Sequence, residues 1–197
     1  SGRLQLKTGG ELREATVMFA DIRGFTTLSE QLAPQQVVTM LNAYFELMVD
    51  VIFKYSGTLD KFIGDEIMAV WGAPIASPAD AERAVMAAVE MQQDLAVFNQ
   101  QRAARGEPVI QIGIGLNTGE VVAGYMCSTR SMNYTVMGDT VNTAARFCSA
   151  AGPTEILIGQ NTYAQVGRLF TTEKLPPTKL KGKLEHVDIY RVTGLQA

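Results

Sequence analysis

Two aspartates stand at the ends of apolar runs. Asp21 closes Ala15-Thr-Val-Met-Phe-Ala20, and Asp65 follows Phe62-Ile63-Gly64 just ahead of Ile67-Met-Ala-Val-Trp71. Runs of this length, rich in Val, Ile, Phe and Trp, read as strands buried on both faces. A carboxylate at the open end of such a strand is costly to hold without a cation beside it. Two of them on paired strands suit a pair of divalent ions, and two ions are what phosphoryl-type chemistry on a nucleotide usually requires. A backbone carbonyl such as that of Ile22 also ligates a hard cation. Each acid has a plainer reading, Asp21 as a cap of the following turn and Asp65 as a hairpin-turn aspartate. The two together are what point to metal.

Other polar residues fall into place around this pair. Lys61 lies four residues before Asp65, which on a regular strand puts both on one face. Asn142 and Arg146 are four apart on a predicted helix and share a side, while Val141, Ala144, Ala145 and Phe147 supply its core side. Arg130, in a polar loop, and Lys181, in Lys181-Gly-Lys183, are further cations whose plain reading is exposed surface. Gly113-x-Gly115-x-x-x-Gly119 has the wrong spacing for a dinucleotide loop and falls inside a strand and hairpin. The chain has no phosphate-binding Gly-x-x-x-x-Gly-Lys-Ser/Thr loop, and with one histidine, His186, it can assemble no Ser-His-Asp set. Cys127 and Cys148 form no Cys-x-x-Cys, which argues against zinc.

The elements that must position these residues fit one domain. Of 197 residues, 47% are hydrophobic and 19% charged, enough for a packed core. A net charge of −3 offers no basic field for nucleic acid. Free thiols fit a reducing cytosol, no run of about 18 apolar residues predicts a membrane span, and the N-terminus lacks a signal-peptide pattern. The absence of an initial Met suggests a piece of a larger protein. Residues 1–13 read as a lead-in or linker remnant and 14–193 as the domain.

Residues 14–22 read as the first strand. A helix from Pro34 carries two apolar stripes, Val37, Leu41, Tyr44, Met48 and Val51 on one side and Val38, Phe45 and Ile52 on the other, so it has two faces to cover. Strands at 58–64 and 66–72 turn near Gly64-Asp65. A helix runs from Ser77-Pro78 to about Gly106. A strand at 109–116 meets a hairpin turn at Asn117-Thr-Gly119 and returns over 121–124. A polar loop at 127–133, a short strand at 134–137, a helix to about 150, a strand at 155–158, a short helix near 161–166 and a last strand at 188–192 complete the chain. The order predicts an α+β fold, an antiparallel-rich sheet with helices on one face.

Phe19-Ala-Asp-Ile-Arg-Gly-Phe-Thr26, Asp60-Lys-Phe-Ile-Gly-Asp65, Asn133-Tyr-Thr-Val-Met-Gly-Asp-Thr-Val-Asn-Thr-Ala-Ala-Arg146 and Leu180-Lys-Gly-Lys183 together resemble the catalytic domain of class III nucleotidyl cyclases, most of all bacterial adenylyl cyclases related to mammalian soluble adenylyl cyclase. The likeness runs from about residue 14 to 193. It implies a ferredoxin-like palm core (βαββαβ) with additional strands, and a head-to-tail homodimer with two shared active sites. By the same resemblance Asp21, Ile22 and Asp65 hold two divalent ions, Mg²⁺ or Mn²⁺. Lys61 and Thr135 read the purine, Asn142 positions the ribose, Arg146 stabilises the transition state, and Arg130 and Lys181 lie near the phosphates. An upstream regulatory domain, a cytoplasmic location and stimulation by bicarbonate are further expectations of the likeness.

Many adenylyl cyclases carry Asp where this chain has Thr135. Adenine offers an acceptor at N1 and a donor at N6, which a Lys and a Thr hydroxyl can meet; guanine has a donor at N1, which Lys61 opposes. The pair therefore favours ATP, converted to 3′,5′-cyclic AMP and pyrophosphate. The alternatives are a guanylate cyclase on the same fold and a non-catalytic nucleotide-binding dimerisation module. A diguanylate cyclase is a weaker rival, because the hairpin reads Ile63-Gly-Asp-Glu-Ile67 rather than Gly-Gly-Asp/Glu-Glu-Phe.

Overall fold

The first long strand divides its side chains between two cores. Met18, Ala20 and Ile22 point to one face of the sheet, and Ala15, Val17 and Phe19 to the other, all of them buried. That is the period-2 alternation of a strand covered on both sides. The structure, a computed structural model, describes residues 10–180 and 186–197. In chain order the elements are β1 (Glu11–Ile22), α1 (Phe25–Glu30), α2 (Pro34–Lys54), β2 (Thr58–Ile63), β3 (Glu66–Trp71), α3 (Asp80–Ala104), β4 (Ile112–Cys127), β5 (Met132–Met137), α4 (Asp139–Ala150), β6 (Ile156–Gly159), α5 (Gln160–Val166), β7 (Phe170–Lys174), the short pair β8 (Thr178–Lys179) and β9 (His186–Val187), and β10 (Ile189–Leu195).

The main sheet has the order β2-β3-β1-β4-β6-β10-β7, with β5 paired to β4. Its first four strands, with α2 and α3 in the crossovers, make the expected ferredoxin-like βαββαβ core. The β1–β3, β1–β4, β2–β3 and β4–β5 pairings are antiparallel, and β4–β6 is parallel. α2 and α3 pack on the Met18 face through residues such as Tyr44, Met48, Val85 and Ala88. α4 lies on the opposite face, with Val141, Ala144 and Cys148 against Val17, Phe19 and Val121. Helices therefore cover both faces, not one.

β4 is a single strand of 16 residues, unbroken where a hairpin was expected at 117–119. Asn117 and Gly119 pair with Val17 and Ala15 of β1. These residues serve α4 instead of a turn. The Asn117 side chain donates to the Thr140 carbonyl, and a Cβ on Gly119 would lie 2.7 Å from Thr140 Oγ1. On Gly115 it would lie 2.2 Å from the Cys148 amide nitrogen, and on Gly113 it would lie 2.9 Å from the Ala151 carbonyl oxygen. The glycine run is the seat on which α4 approaches the sheet.

Of the two stripes on α2, one buries Tyr44, Met48 and Val51, and the other buries Ile52. On the other, Val38 remains 57% exposed, and Phe45 stacks on Phe62 of β2 at 4.3 Å. This 21-residue helix is long and apolar enough by length and composition to cross a membrane, contrary to the expectation from the sequence. It carries Glu46 and Asp50, however, and its buried side belongs to the domain core.

Candidate active site

Asp21 is the penultimate residue of β1, paired with Gly113 of β4 in the middle of the sheet. Asp65 sits in the two-residue turn between β2 and β3, where Gly64 takes a left-handed conformation (φ 61°). The β1–β3 pairing brings that turn beside the end of β1. There the Ile22 amide donates to Asp65 Oδ2 at 3.1 Å. Arg23 Nη2 pairs with Asp21 Oδ2 at 3.2 Å, while its Nη1 donates to the Ala151 carbonyl at 3.0 Å. One arginine thus ties Asp21 to the end of α4. The cleft is about 410 Å³, lined by Asp21, Ile22, Arg23, Gly24, Phe25, Thr26, Thr27, Asp65 and Ser149.

Burial, a hydrogen bond shared with Asp65 and the Asp65 and Glu66 charges push the Asp21 carboxyl up to about 7, with Arg23 opposing. Glu66 is raised by burial and by Asp65. Such crowding of like charge is unfavourable unless a cation enters. The donors are two carboxylates and a backbone carbonyl, all hard oxygens, which fit Mg²⁺ or Mn²⁺. Among the described residues no three His, Cys, Asp or Glu side chains gather, so a bound ion would draw its other ligands from water or substrate phosphate.

Beneath this cleft Tyr44 is fully buried, and its hydroxyl has no hydrogen-bond partner among the described residues. Burial foremost, then the Asp65 and Asp21 charges, raises its ionisation well above the usual tyrosine range. Burial likewise pushes the Cys148 thiol up to about 12.

A second cleft, of about 300 Å³, is lined by Asp60, Lys61, Met132, Asn133, Tyr134 and Thr135. It shares no residue with the first. Lys61 and Asp65 therefore open into separate clefts, not onto one common face. Two features break the alternation between them: the Gly64-Asp65 turn and an irregularity between Leu59 and Lys61 that leaves Asp60 without a partner on β3. Asp60 carries the weight here. Its Oδ2 accepts from Thr135 Oγ1 at 2.8 Å, and its Oδ1 is 3.5 Å from Lys61 Nζ.

Asn142 and Arg146 lie on α4 as expected, but neither lines either cleft. Asn142 is exposed. Arg146 is half-buried, with Nη1 4.0 Å from Asp139 Oδ1, and that nitrogen makes no hydrogen bond among the described residues. Arg130 is exposed in the β4–β5 loop, its amide donating to Ser128 Oγ at 3.3 Å. Lys181 lies outside the described residues. Asp60, Arg23 and Tyr44 escaped the sequence reading. Asp60 precedes Lys61 directly, and neighbours on a regular strand face apart, so only the irregularity reveals it.

Residues 9–194 match the family described as the adenylate and guanylate cyclase catalytic domain. Adenylate cyclase 1 of Rhizobium meliloti is 37% identical over 93% of this chain, which spans 28% of that protein. The crystal structure of the adenylyl cyclase CyaB from P. aeruginosa superposes with a TM-score of 0.92 at 35% identity, covering 96% of this chain and 98% of that one. The crystal structure of the guanylyl cyclase Cya2 does so with a TM-score of 0.88 at 40% identity, covering 96% of each chain. The domain whose carboxylates meet beside Ile22 belongs to the class III nucleotidyl cyclase family.

Proposed function

We propose that this domain is an adenylate cyclase, converting ATP to 3′,5′-cyclic AMP and pyrophosphate at a site completed by a second copy of the chain. The observation that carries this reading is the meeting of Asp21 and Asp65 in one cleft, within hydrogen-bonding reach of each other. Asp21, Asp65 and the Ile22 carbonyl would hold two divalent ions, which when bound supply an activated 3′-oxygen and charge neutralisation of the triphosphate. The ribose 3′-oxygen attacks the α-phosphorus, its proton passing to water or a substrate phosphate, the bond to the bridging oxygen of the β-phosphate breaks, and pyrophosphate leaves. Lys61 donates to N1 of adenine and Thr135 accepts from N6. Asn142 orients the ribose, Arg146 offsets the charge that grows on the α-phosphate, and Arg130 and Lys181 meet the outer phosphates.

The dimer accounts for the separation of the parts. Within one protomer the carboxylates, the Lys61 cleft and the Asn142–Arg146 side of α4 do not meet. The β4–β5 hairpin exposes Tyr125, Met126, Met132 and Met137, and β2 exposes Phe62 and Ile63. Apolar surface of this extent is suited to cover by a second chain. The chain spans 28% and 37% of two adenylate cyclase relatives, which supports an additional regulatory region in the full protein. Free Cys127 and Cys148 support a reducing cytoplasm. Stimulation by bicarbonate rests on the family resemblance, and a comparison of equal bicarbonate and chloride concentrations tests it.

The second reading is a guanylate cyclase, favoured by the 40% identity to Cya2. Lys61 opposes it, since an ammonium cannot accept from guanine N1–H. Incubation with ATP or GTP and Mn²⁺, followed by identification of the cyclic product, decides between them. Nucleotide binding without turnover would replace both with a non-catalytic module.

A further inference from the structure

The Lys61 cleft contains a carboxylate that the reading above does not use. The Asp60 side chain is 5% exposed, although it belongs to an edge strand. It reaches that position because the register of β2 on β3 slips between Leu59 and Lys61, turning Asp60 and Lys61 toward the same cleft. Its Oδ2 accepts from the Thr135 hydroxyl at 2.8 Å. Its Oδ1 is buried without a hydrogen-bond partner among the described residues, with Lys61 Nζ 3.5 Å away.

A threonine hydroxyl is by itself ambiguous, able to give its one hydrogen or to accept. A purine reader made of threonine would then meet the amino group of adenine and the carbonyl of guanine equally well. A carboxylate beside it removes that freedom, because an ionised carboxylate only accepts. The Thr135 hydrogen is committed to Asp60, and what the hydroxyl shows the cleft is lone pairs. Those accept from a 6-amino group and oppose a 6-oxygen. At Lys61 the carboxylate acts from 3.5 Å, near enough to hold the ammonium by charge and too far to consume one of its hydrogens.

We infer that Asp60 is a specificity-determining positioning residue, which fixes Thr135 as an acceptor and so selects a purine bearing a donor at position 6. The inference rests on the adenylate cyclase reading and names the group that gives it its substrate. Burying a carboxylate at a sheet edge is costly, and this use gives the register slip a function.

Three nucleotides separate the contacts. ATP carries a donor at position 6. Purine riboside triphosphate carries neither donor nor acceptor there. 6-Methoxypurine riboside triphosphate carries an acceptor. All three keep N1 as an acceptor, so Lys61 sees no change. The wild-type dimer should prefer ATP to the methoxy analogue by tenfold or more in kcat/KM, the purine analogue falling between, as expected for one hydrogen bond made or opposed. In Asp60→Asn the amide can donate to Thr135, whose hydrogen is then free to face the base. The preference should shrink by about tenfold while circular dichroism and dimerisation stay unchanged. On a Thr135→Val background, the Asp60→Asn change should leave the ratio where it was. Thr135→Val alone should also lose the preference, so the idea remains testable if Asp60→Asn does not fold. An Asp60→Asn enzyme that loses activity toward all three nucleotides by one common factor would overturn the inference, as would a Thr135→Val enzyme with intact preference. A wild-type enzyme that uses GTP and ignores ATP would instead remove the adenylate cyclase reading itself.

Discussion

The Ile22 amide donates to the Asp65 carboxylate at 3.1 Å, fastening the tip of the β2–β3 hairpin to the strand end that carries Asp21. Folding thereby places two acids together at the end of β1, and their repulsion, offset in part by Arg23, is relieved further when a divalent cation arrives. Replacing Asp65 with Ala should abolish divalent-dependent turnover and also remove the rise in melting temperature on adding Mn²⁺. Loss of the Ile22 bond and relief of repulsion oppose each other, so stability without metal should change by no more than about 1 kcal/mol. Turnover and melting curves with and without Mn²⁺ check this. Retained activity would refute the metal role of Asp65.

The sign of the pH effect follows from Asp21, pushed up to about 7 from an ordinary 3.8. Below pH 3.8 the folded and unfolded chains both carry this proton and the group costs the fold nothing. As pH rises toward 7 the unfolded chain releases it first, so folding becomes progressively less favourable, and the full cost is present above about pH 7. A divalent ion removes that cost by displacing the proton. The stabilisation by Mn²⁺ should therefore be larger at pH 8 than at pH 6, and binding at pH 6 should release protons. Melting curves and calorimetry in buffers of different ionisation enthalpy measure both. A Mn²⁺ effect independent of pH would contradict it.

The proposed division of the site between protomers predicts complementation. Asp21→Ala and Arg146→Ala should each be inactive alone. In a statistical mixture half of the dimers are mixed and one site in each is whole, so roughly a quarter of wild-type activity should return. Heterodimers that form and remain inactive would refute the shared site.

α4 rests on glycines, and its position sets Asn142 and Arg146. A Cβ at Gly115 would fall 2.2 Å from the Cys148 amide nitrogen and 2.7 Å from the Ala144 carbonyl oxygen. Gly115→Ala should destabilise the domain by about 1–3 kcal/mol and lower kcat more than it raises KM. Urea unfolding and steady-state kinetics test this, and unchanged values for both would show that α4 can lift without consequence.

Tyr44 offers a converse case. Its buried hydroxyl has no hydrogen-bond partner among the described residues, so Tyr44→Phe should leave stability unchanged or raise it by up to about 1 kcal/mol. A urea midpoint lowered by more than that amount would reveal a partner for the hydroxyl.

The parts of this molecule legible in its sequence are those governed by local period. The apolar run of β1, the apolar stripes of α2 and the Gly64-Asp65 turn each carried their own signal, and with them came the aspartate pair; the palm core followed from the resemblance of the motifs to the cyclase family. The unbroken course of β4 was not legible, because Asn117 and Gly119 are turn residues by type and only the close approach of α4 gives them another use. Asp60 was hidden by the regular alternation of a strand. A period of two assigns Asp60 and Lys61 to opposite faces, and one slipped residue reverses it. The opposite placement of α4 depends on long-range packing against Val17 and Phe19, which no local pattern records.

β2 is the outermost strand of the main sheet, and along it and its turn sit Asp60, Lys61 and Asp65. On the proposed reading, the group that recognises the base and one that grips the ions ride on a single marginal ribbon. In the shared-site dimer those two groups serve different sites, so a force applied there would disturb the base held in one site and the ions held in the other. Fidelity and speed in such an enzyme would rise and fall as one, with no separate handle for either.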